Sequence, residues 1–594
     1  MTKKSELYHT RTKVTIEANG SELELYSYQL KNLSINYSIN DTPYCSITLM
    51  NSRRSVDFSS VQDLYPSNEV KIYAENDFVE RSLIFEGVVS KYGTQSKGRK
   101  FMTVIEVLHP VFRLKRRVIN RLFALSLPEV VDKIFSDYGL TVDNQMDIEE
   151  EESDSRITQY QQNDFEFVLS KIKQAGCMFC PSAEELSVKD VLGDGTPVME
   201  INPIRTTRFN VFMDIEDLHD IANISTYNVE DMIIEQESSE SVSFEAGDTS
   251  VDAATVSGAL DIGAQEVISF GQENTAIRKK WLTHKIQESK LGKVKGGITI
   301  EGTVDVKPGD FVTIVEAGSI LEGDAFVYGV EQHLENDNWK TTLLLGVSSD
   351  EEQASQQPTL DTNFAITGLQ HGIVKQVQDS GDQHATDQYL VQVELPLLMQ
   401  TDLSNDVEPL VWARLATFYA GESHGTLWLP ELEDEVVVGF LGGHPDNPVI
   451  LGSIFKNSDE HPHIGTEGYK SIVTKSNLEL AFDDENELIH MHSESTHVTL
   501  DQANGILHLK VTDGDTVLTE CILDKENNIN INSPDGEVNI NADKINLTAA
   551  SEMKLESASS LSVDGQEVTL ASQAKMGVEA GTMLELKGSQ VFIN

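Results

Sequence analysis

The chain has 594 residues, enough for roughly three to five domains of ordinary size. Its hydrophobic content of 39%, with 22 Phe, 15 Tyr and 4 Trp, is that of a folded protein and excludes a disordered chain. The 45 Lys and Arg residues stand against 96 Asp and Glu, and the resulting net charge of −51 argues against nucleic acid or anionic membrane partners.

The chain starts with MTKKSELYHT, which has basic residues but no apolar stretch, and no run anywhere approaches ~18 apolar residues. We therefore expect the protein to be made and folded in the cytoplasm without a signal peptide, and to use another route if it leaves the cell. Four Cys residues in a chain of this length give no disulfide framework. The motif Cys177-x-x-Cys180 has no second pair at a zinc spacing, which favours small buried strand residues over a metal or redox site.

Residues 1–346 are predicted to be mainly β, with helices near 126–138 and 163–175. The first helix has a capping box, Ser126 with Glu129, and the second has Asn163 with Glu166. From 177 onward the pattern is β again, with a Ser/Ala/Gly-rich excursion at about 238–265 that is typical of a long loop.

Residues 347–365 form a polar linker without periodicity. Residues 366–457 then contain five short alternating segments separated by Gly, Pro and Asp turns, which is the size of an OB-type barrel. A second linker, residues 458–465, precedes the C-terminal region.

Residues 466–594 contain a repeat of apolar pairs. The leading residue of each pair recurs at steps of 8, 8, 7, 8, 8 and 7, and a second apolar residue follows two places later. The leading residues are Ile545, Met553, Leu561, Val568, Met576, Leu584 and Val591. Apolar residues at i and i+2 share one face of a strand, and no repeat of this length buries its apolar face alone. The pattern predicts a triple-stranded β-helix needle formed by a homotrimer.

Five segments of the barrel region form an ordered set of motifs: Val411-Trp-Ala-Arg-Leu-Ala416, Ala420-Gly421, Trp428-Leu-Pro-Glu431, Asp434-Glu-Val-Val-Val-Gly-Phe-Leu441 and His444-Pro-Asp-Asn-Pro-Val-Ile-Leu-Gly-Ser453. With these segments the region resembles the VgrG spike family of type VI secretion and the hub–spike proteins of contractile phage tails. Glu433 stands before Asp434 where the family usually has glycine. Upstream, Gln159–Gly176, Val306–Ile314, Tyr328–His333 and Trp339–Leu343 look like parts of the family's hub.

The resemblance implies a homotrimeric structural spike that punctures a target envelope and carries effectors. Its implied partners are an inner tube protein of the Hcp type at the hub, baseplate proteins, and a tip protein of the PAAR type. The apolar residues at the chain end suit docking of that tip protein, and the hypothesised docking residues are Val591, Phe592, Ile593 and Asn594. The apparatus itself, whether type VI secretion, an extracellular particle or a phage-like tail, stays open.

We expect neither a catalytic centre nor a cofactor, because no room is left for an enzyme domain around the needle. His490 and His492 are candidate metal ligands in a trimer, but the period of two favours Ile489 and Met491 pointing inward instead. The alternative function is a trimeric tail fibre or tailspike that binds or cleaves surface polysaccharide. The hub-like first 346 residues and the scarcity of aromatics in the needle argue against this alternative.

Overall fold

The structure is a computed structural model, which divides the chain into two compact units, Met1–Asp459 and Glu460–Asn594. It describes residues 3–4, 12–23, 28–51, 63–97, 100–123, 125–148, 157–190, 192, 195–228, 233–260, 263–269, 275–335, 337–347, 366–377, 390–398, 410–422, 424–445, 447–456 and 467–593. The predicted linkers 347–365 and 458–465 therefore lie almost wholly outside the described residues.

The first part of unit 1 is built mainly from strands. They are β1 Lys3–Lys4, β2 Lys13–Ala18, β3 Ser21–Glu22, β4 Tyr28–Ser38, β5 Tyr44–Asn51, β6 Glu69–Glu75, β7 Ser82–Lys97, β8 Lys100–Leu108, β9 Val118–Phe123, β10 Asp143–Asn144, β11 Ile157–Asn163, β12 Cys177–Pro181, β13 Leu186–Asp190, β14 Pro197–Ile201, β15 Arg208–Met213, β16 Ala222–Asn228, β17 Ile233–Ser238, β18 Gln265–Ser269, β19 Val294–Glu301, β20 Phe311–Ile314, β21 Gly323–Glu335 and β22 Asn338–Leu345. The helices are α1 Leu127–Asp137, α2 Asp164–Gln174, α3 Ala253–Leu260 and α4 Thr275–Leu291, with short 3-10 helices at Pro110–Lys115 and Pro203–Arg205.

Fourteen of these strands form one large sheet with two separate apolar cores. Antiparallel pairing of β4 with β21 joins the β2–β8 strands to the strands that follow β14. Trp339 is fully buried in the first core, and its Nε1 donates to Gln332 Oε1 at 2.7 Å. A buried tryptophan keeps its N–H paired in this way, which fixes the ring's orientation.

Helices α1 and α2 pack on β9–β13 around a third core. At α1 both bonds of the capping box are present, and at α2 the Asn163 side chain accepts from the Glu166 N–H at 2.9 Å. The buried Asp164 carboxylate accepts from Arg121 at 2.5 Å and from the Tyr138 hydroxyl at 2.6 Å. This charge is therefore paired where α2 begins.

The stretch from 238 onward contains two helices that the sequence pattern does not predict, α3 and α4. The interpretation of 238–265 as a long loop is wrong where α3 lies. The second helix, α4, packs on β16 and β17 with buried apolar side chains such as Trp281 and Ile286. It also buries the charged Arg278 and Glu288, so its sequence lacks the apolar periodicity that marks a helix.

Cys177 and Cys180 are buried in β12, as predicted. Burial is the main cause that raises the pKa of the Cys177 thiol to about 12. The motif is therefore a packing feature, because a reactive cysteine needs a lowered pKa and access to solvent.

The second part of unit 1 is a closed five-stranded barrel in the order β23-β24-β25-β29-β28. The strands of this part are β23 Gln370–Val377, β24 Leu390–Glu394, β25 Leu410–Leu415, the hairpin β26 Ala420–Gly421 and β27 His424–Gly425, β28 Glu435–Phe440 and β29 Pro448–Ile454. Alternate residues such as Val391, Val393, Val436 and Val438 fill its interior. The prediction of a mainly β chain with a five-stranded barrel is confirmed.

Unit 2 begins with an antiparallel meander of seven strands in sequence order. They are β30 Tyr469–Val473, β31 Glu479–Asp483, β32 Leu488–His492, β33 Thr496–Asp501, β34 Ile506–Asp513, β35 Thr516–Asp524 and β36 Ile529–Asn532. In residues 533–593, which the structure describes throughout, the chain continues without further strands.

Candidate functional site

The seven-stranded sheet of unit 2 has one apolar and one polar face. Directly paired residues on neighbouring strands share a face, and alternate residues along a strand change face. In the sheet Leu480 pairs with Met491, Met491 with Val498, and Val498 with Leu509, so one row of apolar side chains crosses four strands.

The apolar face comprises every second residue of the central strands. Its members are Ile472, Leu480, Phe482, Ile489, Met491, Val498, Leu500, Leu507, Leu509, Cys521, Leu523, Ile529 and Ile531. Large side chains on it are substantially exposed in the single chain, with Leu500 at 41% and Ile531 at 61%. A groove of about 760 Å³ is lined by Phe482, Ile489 and Leu507 of this face together with acidic residues of the adjacent turns. Contiguous exposed apolar surface of this kind marks an interaction site.

The polar face carries four histidines on three neighbouring strands. His492 Nε2 lies 2.7 Å from Glu479 Oε2, and the rings of His492 and His497 stack with centroids 5.8 Å apart. His508 Nε2 lies 3.0 Å from Glu520 Oε2, and His490 Nδ1 lies 3.3 Å from the Thr499 hydroxyl.

His490 and His492 thus lie on the opposite face from Ile489 and Met491, as the period of two requires. Among the residues that the structure describes, no group of three or more His, Cys, Asp or Glu side chains has an arrangement that could hold a metal ion.

Three turns at the same end of the sheet repeat one Asp–Asn contact. The side-chain amides of Asn486, Asn504 and Asn528 donate to the carboxylates of Asp483, Asp501 and Asp524 at 2.8, 2.9 and 3.0 Å. These hydrogen bonds are the main cause that lowers the pKa of each Asp. Such Asx contacts close tight turns and fix the register of the strands they join.

Beyond the sheet, residues 537–593 run as an exposed chain that carries the predicted apolar pairs. The pair members are between about half and three quarters exposed up to Leu586; Leu570, for example, is 76% exposed. Gly565, Gly581 and Gly588 lie between the pairs.

Three of the four hypothesised docking residues are exposed at the end of this segment. Val591 is half exposed, and Phe592 and Ile593 are exposed by 86% and 81%. Asn594 lies outside the described residues.

A further apolar surface lies on the barrel beside the β26–β27 hairpin. It consists of Phe418, Tyr419, Leu427, Trp428 and Leu432, and Phe418 is 84% exposed. Part of this surface belongs to the Trp428–Glu431 segment on which the family resemblance rests.

The sequence prediction treated residues 466–594 as one needle and missed the meander. A signal for it exists: apolar pairs beginning at Leu480, Ile489, Val498 and Leu507 recur at steps of nine. Five-residue strands joined by four-residue turns have this step, whereas the later pairs recur at seven or eight.

In the part of the chain that the structure describes, no helix is both long and apolar enough to cross a membrane.

Two family models match the chain. The model of the Alg8 N-terminal domain matches residues 8–336, and that of the type VI secretion system/phage-baseplate injector OB domain matches residues 370–455. The second match covers the closed barrel.

Curated relatives match over shorter segments. The type VI secretion system spike protein VgrG3 of Vibrio cholerae is 28% identical over 100 residues, which are 15% of this chain and 10% of that protein. The actin cross-linking toxin VgrG1 of the same species is 26% identical over 147 residues, 22% of this chain and 13% of the toxin. The matched part of the chain thus spans only about a tenth of these relatives' length.

Among solved structures, the lidded Francisella PdpA-VgrG complex is similar to this chain in fold. The TM-score is 0.51 at 9% sequence identity, and the match covers 89% of this chain and 80% of that one.

Proposed function

We propose that the chain, which belongs to the family of the Alg8 N-terminal domain, acts as a homotrimer that punctures a target envelope. It is a VgrG-type spike protein with the OB domain of type VI secretion and phage-baseplate injectors. The proposal places the trimer at the tip of a contractile injection apparatus, with effectors and a tip protein as its cargo.

The exposed apolar surface of unit 2 carries this proposal. Both the sheet face and the pairs beyond it leave aliphatic side chains in water in a single chain. Three chains that face one another would bury about six aliphatic side chains per step of the repeat, on the order of 10 kcal/mol of gross stabilisation. Burial on this scale would hold the three chains together as a stiff rod.

We propose a mechanical rather than a catalytic role, because a contracting sheath would supply the work. The spike names of curated relatives support this role. One relative is named an actin cross-linking toxin, but the match covers only 13% of it.

The test is the mass of the full-length protein in solution by light scattering. A particle near three times 65.8 kDa is expected. A monomer at micromolar concentration would sink the proposal, since the apolar face would then have no second copy to cover it.

Docking of a PAAR-type protein to the chain end is proposed from the exposure of Phe592 and Ile593. The double variant Phe592→Asp/Ile593→Asp should abolish co-elution of the spike with a purified PAAR-type protein. Met583→Asp is the matched control, because Met583 is 73% exposed but stands outside the terminal residues. Equal retention by both variants would place the docking surface elsewhere.

The remaining partners are proposed from the family alone. They are an Hcp-like tube protein at the hub, baseplate proteins and secreted effectors.

A further inference from the structure

One buried ring of the first part of unit 1 belongs to the core of the barrel. Tyr160 of β11 is 8% exposed and packs in that core, whose other buried members all lie between Ile366 and Ile450. We propose that Tyr160 is a positioning residue, which fixes the barrel on the first part of unit 1 so that the two parts move as one body. The docking stands on these contacts alone, whereas its use in passing thrust to the barrel rests on the proposed function.

A β-bulge brings the Tyr160 ring to the barrel. Strands β9 and β11 form a two-stranded antiparallel sheet, and their register shifts between Gln159 and Gln162, where β11 has one residue more than β9. Such a bulge bends its strand and changes the direction of a side chain. Gln161, within the bulge, has a φ of 48°, in the left-handed region. A residue other than glycine keeps this φ only where its surroundings hold it in place.

Buried hydrogen bonds hold the bulge against the start of α2. Gln159 is fully buried, its Oε1 accepts from Arg121 Nε at 2.8 Å, and its Nε2 donates to Asp164 Oδ1 at 2.9 Å. The same amide nitrogen donates to the Gln162 carbonyl at 3.2 Å. Since Asp164 is the first residue of α2, these bonds tie the bulge to that helix. Tyr160 therefore projects from a rigid support.

A second contact joins the bulge to the barrel through Asn120 of β9. The Asn120 Oδ1 accepts the Gln161 N–H at 2.7 Å, and its Nδ2 donates to the Leu397 carbonyl at 3.2 Å. Leu397 belongs to the short 3-10 helix Pro396–Leu398, and its neighbour Leu398 lies in the same core as the tyrosine ring. The apolar and the polar contact thus meet at one place on the barrel.

These contacts oppose the mobility that is usual between two parts of one chain. Interfaces of this kind resemble transient ones, so relative motion is the default. Here the Tyr160 ring is removed from water in the core of the barrel, and its hydroxyl is hydrogen-bonded to the Gln370 side chain of β23. The barrel ladder is closed by its own strands. Truncation of the ring should therefore release the barrel without unfolding either part.

A cross-link within the full-length chain measures the docking. Val118 lies two residues before Asn120 on the same side of β9 and is 68% exposed, and Leu397 is 49% exposed. Val118→Cys and Leu397→Cys in a Cys521→Ser background provide two thiols for a flexible bis-maleimide, and the other three cysteines are buried. Mass spectrometry of the single-chain band of a denaturing gel follows the rate at which the linked peptide forms.

In this background, Tyr160→Ala should slow the cross-linking severalfold, because loss of the ring lets the barrel move away from β9. Tyr160→Phe should keep the original rate, because it keeps the ring. Val393→Ala is the matched control, since it truncates a side chain of the same core on the barrel's own side and should leave the rate unchanged. Circular dichroism and tryptophan fluorescence establish that each variant is folded.

An unchanged rate with Tyr160→Ala, or an equal loss with Tyr160→Phe or Val393→Ala, would overturn the inference. If Tyr160→Ala does not fold, Asn120→Ala at a partly exposed position takes its place, and an unchanged rate with that variant overturns the inference as well. Light scattering tests the proposed function separately. A monomer whose cross-link depends on Tyr160 means that the proposed function fails and the docking holds; a trimer without this dependence means that only the docking fails.

Discussion

At the scale of single residues, two side chains of unit 1 show how packing constrains its fold. Trp339 fills the first core, and Gly302 lies against its ring so closely that a Cβ there would be 2.1 Å from Trp339 Cδ2. His109 is buried beside Phe85 and accepts the Val111 N–H through Nδ1 at 3.3 Å. Each of these two contacts leads to a separate prediction.

Gly302→Ala should destabilise unit 1 by about 1–3 kcal/mol, because the added methyl group must displace a buried, hydrogen-bonded ring. Denaturant unfolding followed by tryptophan fluorescence measures this loss. Gly93→Ala is the control, since a Cβ at Gly93 meets no atom within 4 Å. The explanation is wrong if both variants unfold at the same denaturant concentration.

Burial lowers the pKa of His109 from 6.5 to about 4. The folded state therefore favours the neutral ring, and this preference is fully effective above pH 6.5. It is lost as the pH falls towards 4, at a cost of up to about 3 kcal/mol. A protonated ring also cannot accept the Val111 N–H.

The unfolding midpoint of the wild type should thus fall between pH 6.5 and 4, and His109→Asn should flatten this dependence because asparagine accepts the same hydrogen bond without titrating. Parallel pH profiles of the two proteins would contradict this role of His109.

At the scale of elements, strands were predicted correctly where apolar and polar residues alternate regularly along the sequence. An element was missed where charged residues occupy buried positions. The barrel strand β28 alternates between half-buried and buried residues over Glu435–Val438, with Val436 and Val438 inside, and it was found. Helix α4 was missed because Arg278 and Glu288 occupy buried positions that the pattern assigns to solvent. Arg278 forms ion pairs with Glu235 and Glu237, which are distant in sequence and approach it only in the fold, whereas Glu288 pairs with Lys285 within the helix.

The candidate site was only partly predicted, because the same sequence pattern fits two different structures. Apolar pairs at i and i+2 identified the apolar surface of unit 2. In the sequence, however, such a pair looks the same whether the chain forms an antiparallel meander or winds around other copies. Only the number of residues from one pair to the next distinguishes the two structures. In the sheet this number is nine because a tight turn follows each strand, such as the turn that Asp501 and Asn504 close.

Leu500 and Thr499 provide a test of the sheet's apolar face. Leu500→Asp should weaken self-association, because a side chain that is 41% exposed in one chain would lose its remaining exposure in the trimer and leave a charge buried there. Thr499→Asp, one residue earlier on the polar face, should leave the association unchanged. Dilution followed by mass photometry measures both; equal trimer fractions would exclude this face from the interface.

At the scale of the whole molecule, charge opposes assembly. Three chains together would carry three times −51, or −153, and the repulsion between them is screened by salt. The Debye length falls from about 30 Å at 0.01 M to about 8 Å at 0.15 M salt.

The proposed trimer should therefore dissociate at a lower concentration in 0.15 M KCl than in 0.01 M KCl, measured by dilution at constant pH. Glycerol at the same osmolarity is the control and should not reproduce the effect. Dissociation that is independent of salt would show that the acidic groups lie too far from the interfaces to matter.

The exposed chain of residues 537–593 has one more consequence, which concerns evolution rather than folding. Each apolar pair and its connector form a unit of seven or eight residues that makes no core with distant parts of its own chain. Duplication or deletion of one unit leaves every other unit in an unchanged environment. Genes for such proteins can therefore vary in length by whole units while the rest of the chain stays the same, so mutation changes the length of this segment in discrete increments.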